Sequence, residues 1–148
     1  MHAHVSDVVG RTLRNPHSLT PLVLFMGFIG ASLRYALETV LPADGGFPAA
    51  TLIVNIFGCF TLEIINQYVA HRKNLPAPLV KSMGTGLIGA FTTISAFSTE
   101  NLAFLMQGRY GMFALYLFTT VFSTFGAALA GNKVASALDS SAQKKGGL

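Results

Sequence analysis

The sequence of 148 residues predicts an all-α membrane protein of four transmembrane helices, and three observations carry that prediction. Hydrophobic residues make up 51% of the chain, and charged residues only 11%, with a mean hydropathy of +0.54. A soluble domain carries about a quarter charged residues. Four apolar stretches are each long enough for a hydrocarbon core of about 30 Å, which takes about 20 helical residues. The basic residues fall between these stretches, as topology signals do, rather than in a cluster with interleaved aromatics. The net charge of +4 therefore does not predict nucleic-acid binding. One compact helical domain, residues 21–131, is expected between an N-terminal tail of residues 1–20 and a C-terminal tail of residues 132–148.

The N-terminal tail carries His2, His4 and His17, but His-x-His without a third ligand is read as part of a tail, not as a metal site. The first apolar stretch, Pro21–Leu41, is too long for a signal-peptide core and lacks a small-x-small cleavage site. It is read as a crossing. The second runs over Ala49–Ala70, the third over Leu79–Met106 and the fourth over Tyr110–Ala130. The links "PADGGFP" and "QGRYG" are turns by their Pro, Asp and Gly content, and "HRKNLPAP" is a charged loop whose prolines suit a helix start. The terminal "DSSAQKKGGL" is expected to be disordered. Cys59 is the single cysteine, so no intrachain disulfide is possible.

Four crossings put both termini and the second link on one side. That side holds Arg11, Arg14, Arg72, Lys73, Lys81, Lys133, Lys144 and Lys145, against Arg109 alone on the other. The imbalance predicts cytoplasmic termini.

Polar groups inside the crossings point to function, because each is costly there. Arg34 in the first crossing needs a partner or a wet cavity; Glu38 one turn on can pair with it, and a snorkelling Arg at a helix end is the alternative. Thr51, Asn55, Cys59 and Glu63 recur every four residues along the second crossing. Asn55 offers two N–H donors to an anion that must shed water, or joins two helices. In the fourth, Tyr116, Thr120 and Thr124 share that spacing, although such hydroxyls often bond their own i−4 carbonyl. The third crossing has about 28 residues, more than a straight passage needs. Gly84, Gly86 and Gly89 permit close packing or a break, with Ser95, Phe97, Ser98 and Glu100 beginning a second half-helix. Backbone carbonyls freed at such a break ask for an ion, water or side chain.

"GASLRY", "TLIVNIFGCF" and "GAFTTISAFSTE", in order and on the first three crossings, resemble the motifs of the Fluc (CrcB) fluoride channels over about residues 22–131. The resemblance implies an inverted, dual-topology dimer with two fluoride pores in a plasma membrane, the inner membrane of a bacterium, conferring fluoride resistance. It implies a structural sodium ion at the dimer centre, held by the carbonyls of Gly89 and Thr92. It places Asn55, Ile94, Ser95, Phe97, Tyr116, Thr120 and Thr124 along the fluoride path, and Arg34 and Glu100 towards vestibules or the dimer core. Amide and hydroxyl hydrogens and the positive edges of aromatic rings can replace the water that fluoride holds tightly. A narrow bore is then expected to exclude the larger chloride. Ile94 stands where the family has its first Phe, Ala90 replaces a Gly, Ala96 a Thr, and Glu63 stands where a small residue is expected.

A small multidrug-type transporter is the alternative, but it needs a Glu near the middle of the first crossing, where this chain has Arg34. A non-conducting subunit that completes a partner's pore is a further reading. No nucleophile, metal cluster or phosphate loop suggests an enzyme. The partner is expected to be a second, inverted copy, or a paralogue inserted the other way, which the eight-to-one charge imbalance favours.

Overall fold

The computed structural model describes residues 16–41, 46–70 and 75–146. The His-bearing tail and parts of the first two links lie outside the described residues. Among the described residues every regular element is helical. Helix α1 is Pro16–Val40 and α2 is Ala49–Ile64, the latter continuing over Ile65–Val69 in wider turns whose bonds reach five residues back, as from Ala70 N–H to the Ile65 carbonyl (2.9 Å). Helix α3, Ala77–Ser82, starts behind Pro76, passes into a second wide-turn stretch, Met83–Ile88, and ends in the single turn α4, Gly89–Phe91. Thr92 and Thr93 then take extended backbone, with ψ of 157° and 118°, and helix α5 resumes over Ile94–Met106. Helix α6 is Tyr110–Gly146.

Three helical stretches are long and apolar enough to cross a membrane: Leu19–Val40, Ala49–Val69 and Tyr110–Ser141. The other expected crossing, residues 79–106, is divided into shorter helical pieces. The turn at "QGRYG" follows from Gly108, whose φ of 69° favours a residue without a Cβ. There Gly108 N–H donates to Leu105 O and Arg109 N–H to Phe104 O, a Schellman closure of α5.

One expectation needs correcting. The segment beginning at Asp139 is not disordered: α6 continues through it to Gly146. From Asn132 to Lys145 the chain has neither Gly nor Pro and is rich in Ala, Lys and Gln, all good helix formers. The Ser136, Ser140 and Ser141 hydroxyls fold back onto carbonyls of their own helix, and Ala135 is fully buried.

Packing is set by glycines where backbones meet. Helix α1 lies along residues 83–91, and α2 lies chiefly along α6. A Cβ on Gly30 would collide with the Leu87 carbonyl, and one on Gly86 would come within 2.7 Å of the Val23 carbonyl. At Gly131 a Cβ would sit 2.5 Å from the Phe60 carbonyl. Such small-residue contacts let helices approach where lipid supplies no hydrophobic drive between them. Leu24, Phe25, Phe28, Phe118, Phe122 and Phe125 stay exposed on the outer faces, as suits contact with acyl chains.

Candidate functional site

The interruption at Thr92 and Thr93 is held from α2. Asn55 donates through Nδ2 to the Thr93 carbonyl (3.1 Å) and accepts from the Thr93 N–H at Oδ1 (2.9 Å), so one amide pairs with both backbone groups of the extended residue. Thr93 in turn caps α5, its hydroxyl accepting from Ala96 N–H (3.1 Å). Gly58, one turn beyond Asn55, makes room for Thr92, since a Cβ there would overlap the Thr92 methyl. Arg34 reaches across from α1 and donates from Nε to the Ala90 carbonyl (3.3 Å), while its Nη1 pairs with Glu38 Oε1 (3.2 Å). Of the two readings of Arg34, the partnered one is realised.

These bonds account for the carbonyls around the interruption unevenly. Ile88 O accepts from the Thr92 N–H and hydroxyl, Ala90 O from Arg34, and Thr93 O from Asn55. None of these donors reaches the Gly89 or Thr92 oxygen. The two carbonyls expected to hold sodium are thus the ones left for a cation, and hard oxygen ligands suit it.

A cavity of about 680 Å³ lies against this interruption. Its wall brings together Asn55, Ser95, Phe97, Thr120 and Thr124 with Gly89, Thr92 and Arg34. Ile94 stands at its rim, 75% exposed. The hydroxyls differ in what they have left to give. Thr124 is committed to the Thr120 carbonyl (2.8 Å), and Ser95 shares a bond with the Thr93 hydroxyl (3.1 Å). Thr120 Oγ1, buried at 6% exposure, has no partner among the described residues. Asn55 has spent one N–H on Thr93, which leaves one for a ligand.

Tyr116 and Glu100 are placed behind this wall. Tyr116 is fully buried among Phe47, Phe97 and Phe104, with ring centroids 5.3, 5.3 and 6.1 Å away. Its hydroxyl donates to Glu100 Oε2 (2.7 Å), and Thr51 donates to Oε1 (2.7 Å). Glu100 lines a second cavity of about 300 Å³, which Arg34 separates from the first by lining both. Glu63 leaves the stripe that begins at Thr51, because four-residue steps advance about 40° beyond a full turn. Its stem faces α6 at Gly131, outside both cavities.

Sequence reasoning missed Thr93, Thr51 and Gly58 as functional residues. The Thr-x-x-Ala spacing before α5 was the available signal for the cap at Thr93. Nothing in the sequence says that Gly58 receives Thr92.

Long apolar helices around a polar cavity define a multi-pass helical membrane protein. A family model described as "CrcB-like protein, Camphor Resistance (CrcB)" matches residues 21–132, and the chain belongs to that family. It is 39% identical over 114 residues to the fluoride-specific ion channel FluC of Oceanobacillus iheyensis, covering 77% of this chain and 88% of that one. Over 107 residues it is 39% identical to FluC 2 of Geobacillus kaustophilus, covering 71% and 83% respectively. Over 95 residues it is 40% identical to FluC 2 of Listeria innocua, covering 64% and 73%. These relatives are ion channels by name, not enzymes.

Proposed function

We propose that this chain is a subunit of a fluoride-selective channel that lets cytoplasmic fluoride leave the cell passively. The observation that carries this reading is the unpartnered Thr120 hydroxyl on a membrane-depth wall shared with Asn55, Ser95 and Phe97. A buried donor without a partner costs about 1–3 kcal/mol, and a small anion that accepts hydrogen bonds removes that cost. Fluoride enters the cavity past Arg34, exchanges water for the free Asn55 N–H and the Thr120 hydroxyl, and passes the edge of Phe97. Family membership and the names of the relatives agree with this cargo.

In this reading residues 77–106 form the third of four crossings, interrupted at Thr92 and Thr93, and the subunit pairs with an inverted one. The carbonyls of Gly89 and Thr92 would hold a structural sodium ion, whose charge offsets their dipoles at the subunit contact. The membrane is the plasma membrane with cytoplasmic termini, as the flanking Lys and Arg imbalance favours. The partner is a second copy, or an oppositely inserted paralogue if that imbalance holds the chain to one orientation. Labelling both membrane faces in cells that express this chain alone separates the two. Full fluoride resistance with tails on both faces supports the homodimer; tails on one face without resistance support the paralogue.

The test of function is fluoride efflux from liposomes holding only this chain. Rapid efflux of fluoride but not chloride is expected. Leakage equal to that of empty liposomes, from a folded dimer, would rule out a self-sufficient channel.

A further inference from the structure

Cys59 is the one thiol in the chain, and no role has been given to it so far. It lies one helical turn beyond Asn55 and next to Gly58, the residue that receives Thr92. Free cysteines are among the most buried residue types, yet Cys59 is only partly buried and lines the 680 Å³ cavity. The same cavity holds Thr120, whose 94%-buried hydroxyl lacks a partner among the described residues. An uncommitted hydroxyl at that depth calls for water or an anion beside it. A wall that holds water at Thr120 is also wet for a thiol on it, and a wet thiol can ionise and react.

We infer that Cys59 is a modification site inside the cavity, open in the folded protein to small thiol-directed electrophiles, and that an adduct there stops conduction. The inference rests on reading the cavity as the ion path. With methyl methanethiosulfonate, the Cys59 thiolate attacks the reagent's sulfenyl sulfur. A Cys59–S–S–methyl bond forms, the reagent's own sulfur–sulfur bond breaks, methanesulfinate leaves, and the thiol proton goes to water. The added methylthio group projects into a passage that must be narrow to discriminate fluoride from chloride.

The experiment treats the full chain in liposomes with methyl methanethiosulfonate, follows fluoride efflux, and weighs the intact protein. One adduct per chain under native conditions is expected, with efflux reduced by about tenfold or more, since a blocked narrow pore has no bypass. Excess dithiothreitol should restore the original rate. Cys59→Ser and Cys59→Ala should each keep, after treatment, the rate that they had before it. Labelling that requires denaturation would overturn the inference, and so would complete native labelling with undiminished efflux. Absent efflux before any treatment defeats the channel reading instead; the mass measurement then still decides whether the cavity is open to Cys59.

Discussion

Upstream of Thr92, the run from Ala77 to Phe91 lies against α1 with Gly30 and Gly86 letting the two backbones touch, and only Arg34 bonds across that face. Downstream of Thr93, α5 is held by specific side chains: Asn55 on the extended residue, Thr51 and Tyr116 on Glu100, and three aromatic rings around Tyr116. One half is fitted by shape and the other by hydrogen bonding. The difference teaches that the two halves should fail differently, the first through volume and the second through lost donors. Polar side chains are spent where the backbone leaves the helix and needs partners, while intact helical turns satisfy themselves.

The sharpest way to break this contrast is Gly30→Val. A branched side chain has no space against the Leu87 carbonyl, so the first half must separate from α1. Overpacking of this kind costs 1–3 kcal/mol in compliant cores and about 3 kcal/mol or more against backbone. Purified protein should show lost dimer yield and a collapsed melting temperature. Next is Asn55→Leu, which strands the buried Thr93 N–H and carbonyl; about 2–4 kcal/mol is expected from two unpaired backbone groups. Thermal unfolding should register that loss, and efflux should fall with it. Asn55→Asp keeps the acceptor for Thr93 N–H, so it should unfold later than Asn55→Leu while still losing efflux.

Tyr116→Phe keeps the ring cluster and removes one donor to Glu100, for about 1–2 kcal/mol. Combined with Thr51→Val it should cost more than the sum of the two, because Glu100 then loses both of its donors. A double-mutant cycle in thermal unfolding measures the excess. The smallest effect belongs to Gly126→Ala on α6, where a Cβ meets nothing within 4 Å. A change within about 0.5 kcal/mol, or a slight gain from helix propensity, is expected there. A large loss would show that the Gly126 face is covered by another subunit.

The helices were legible in the sequence because hydropathy and length report directly on crossing a bilayer. The Arg34–Glu38 pair was legible because both residues lie on one helix, four apart. The partners of Asn55 and Glu100 were not: Thr93 and Thr51 are 38 and 49 residues away, and helix rotation decides which side chains meet. Rotation also took Glu63 off its apparent stripe and towards Gly131. The continuation of α6 was missed because hydropathy reads the part of a helix in lipid, whereas helix propensity and the buried Ala135 set where it stops.

At 1.5 Å per residue, the 37 residues of α6 form a rod about 55 Å long, against a hydrocarbon layer of about 30 Å. The surplus, about 25 Å, makes a stiff spar beyond the acyl region instead of a slack tether. A spar transmits angle as well as position. A fluorophore or spin label near Ser141 would therefore report how the whole subunit leans in the bilayer. A bulky domain fused there would be carried away from the mouth of the cavity.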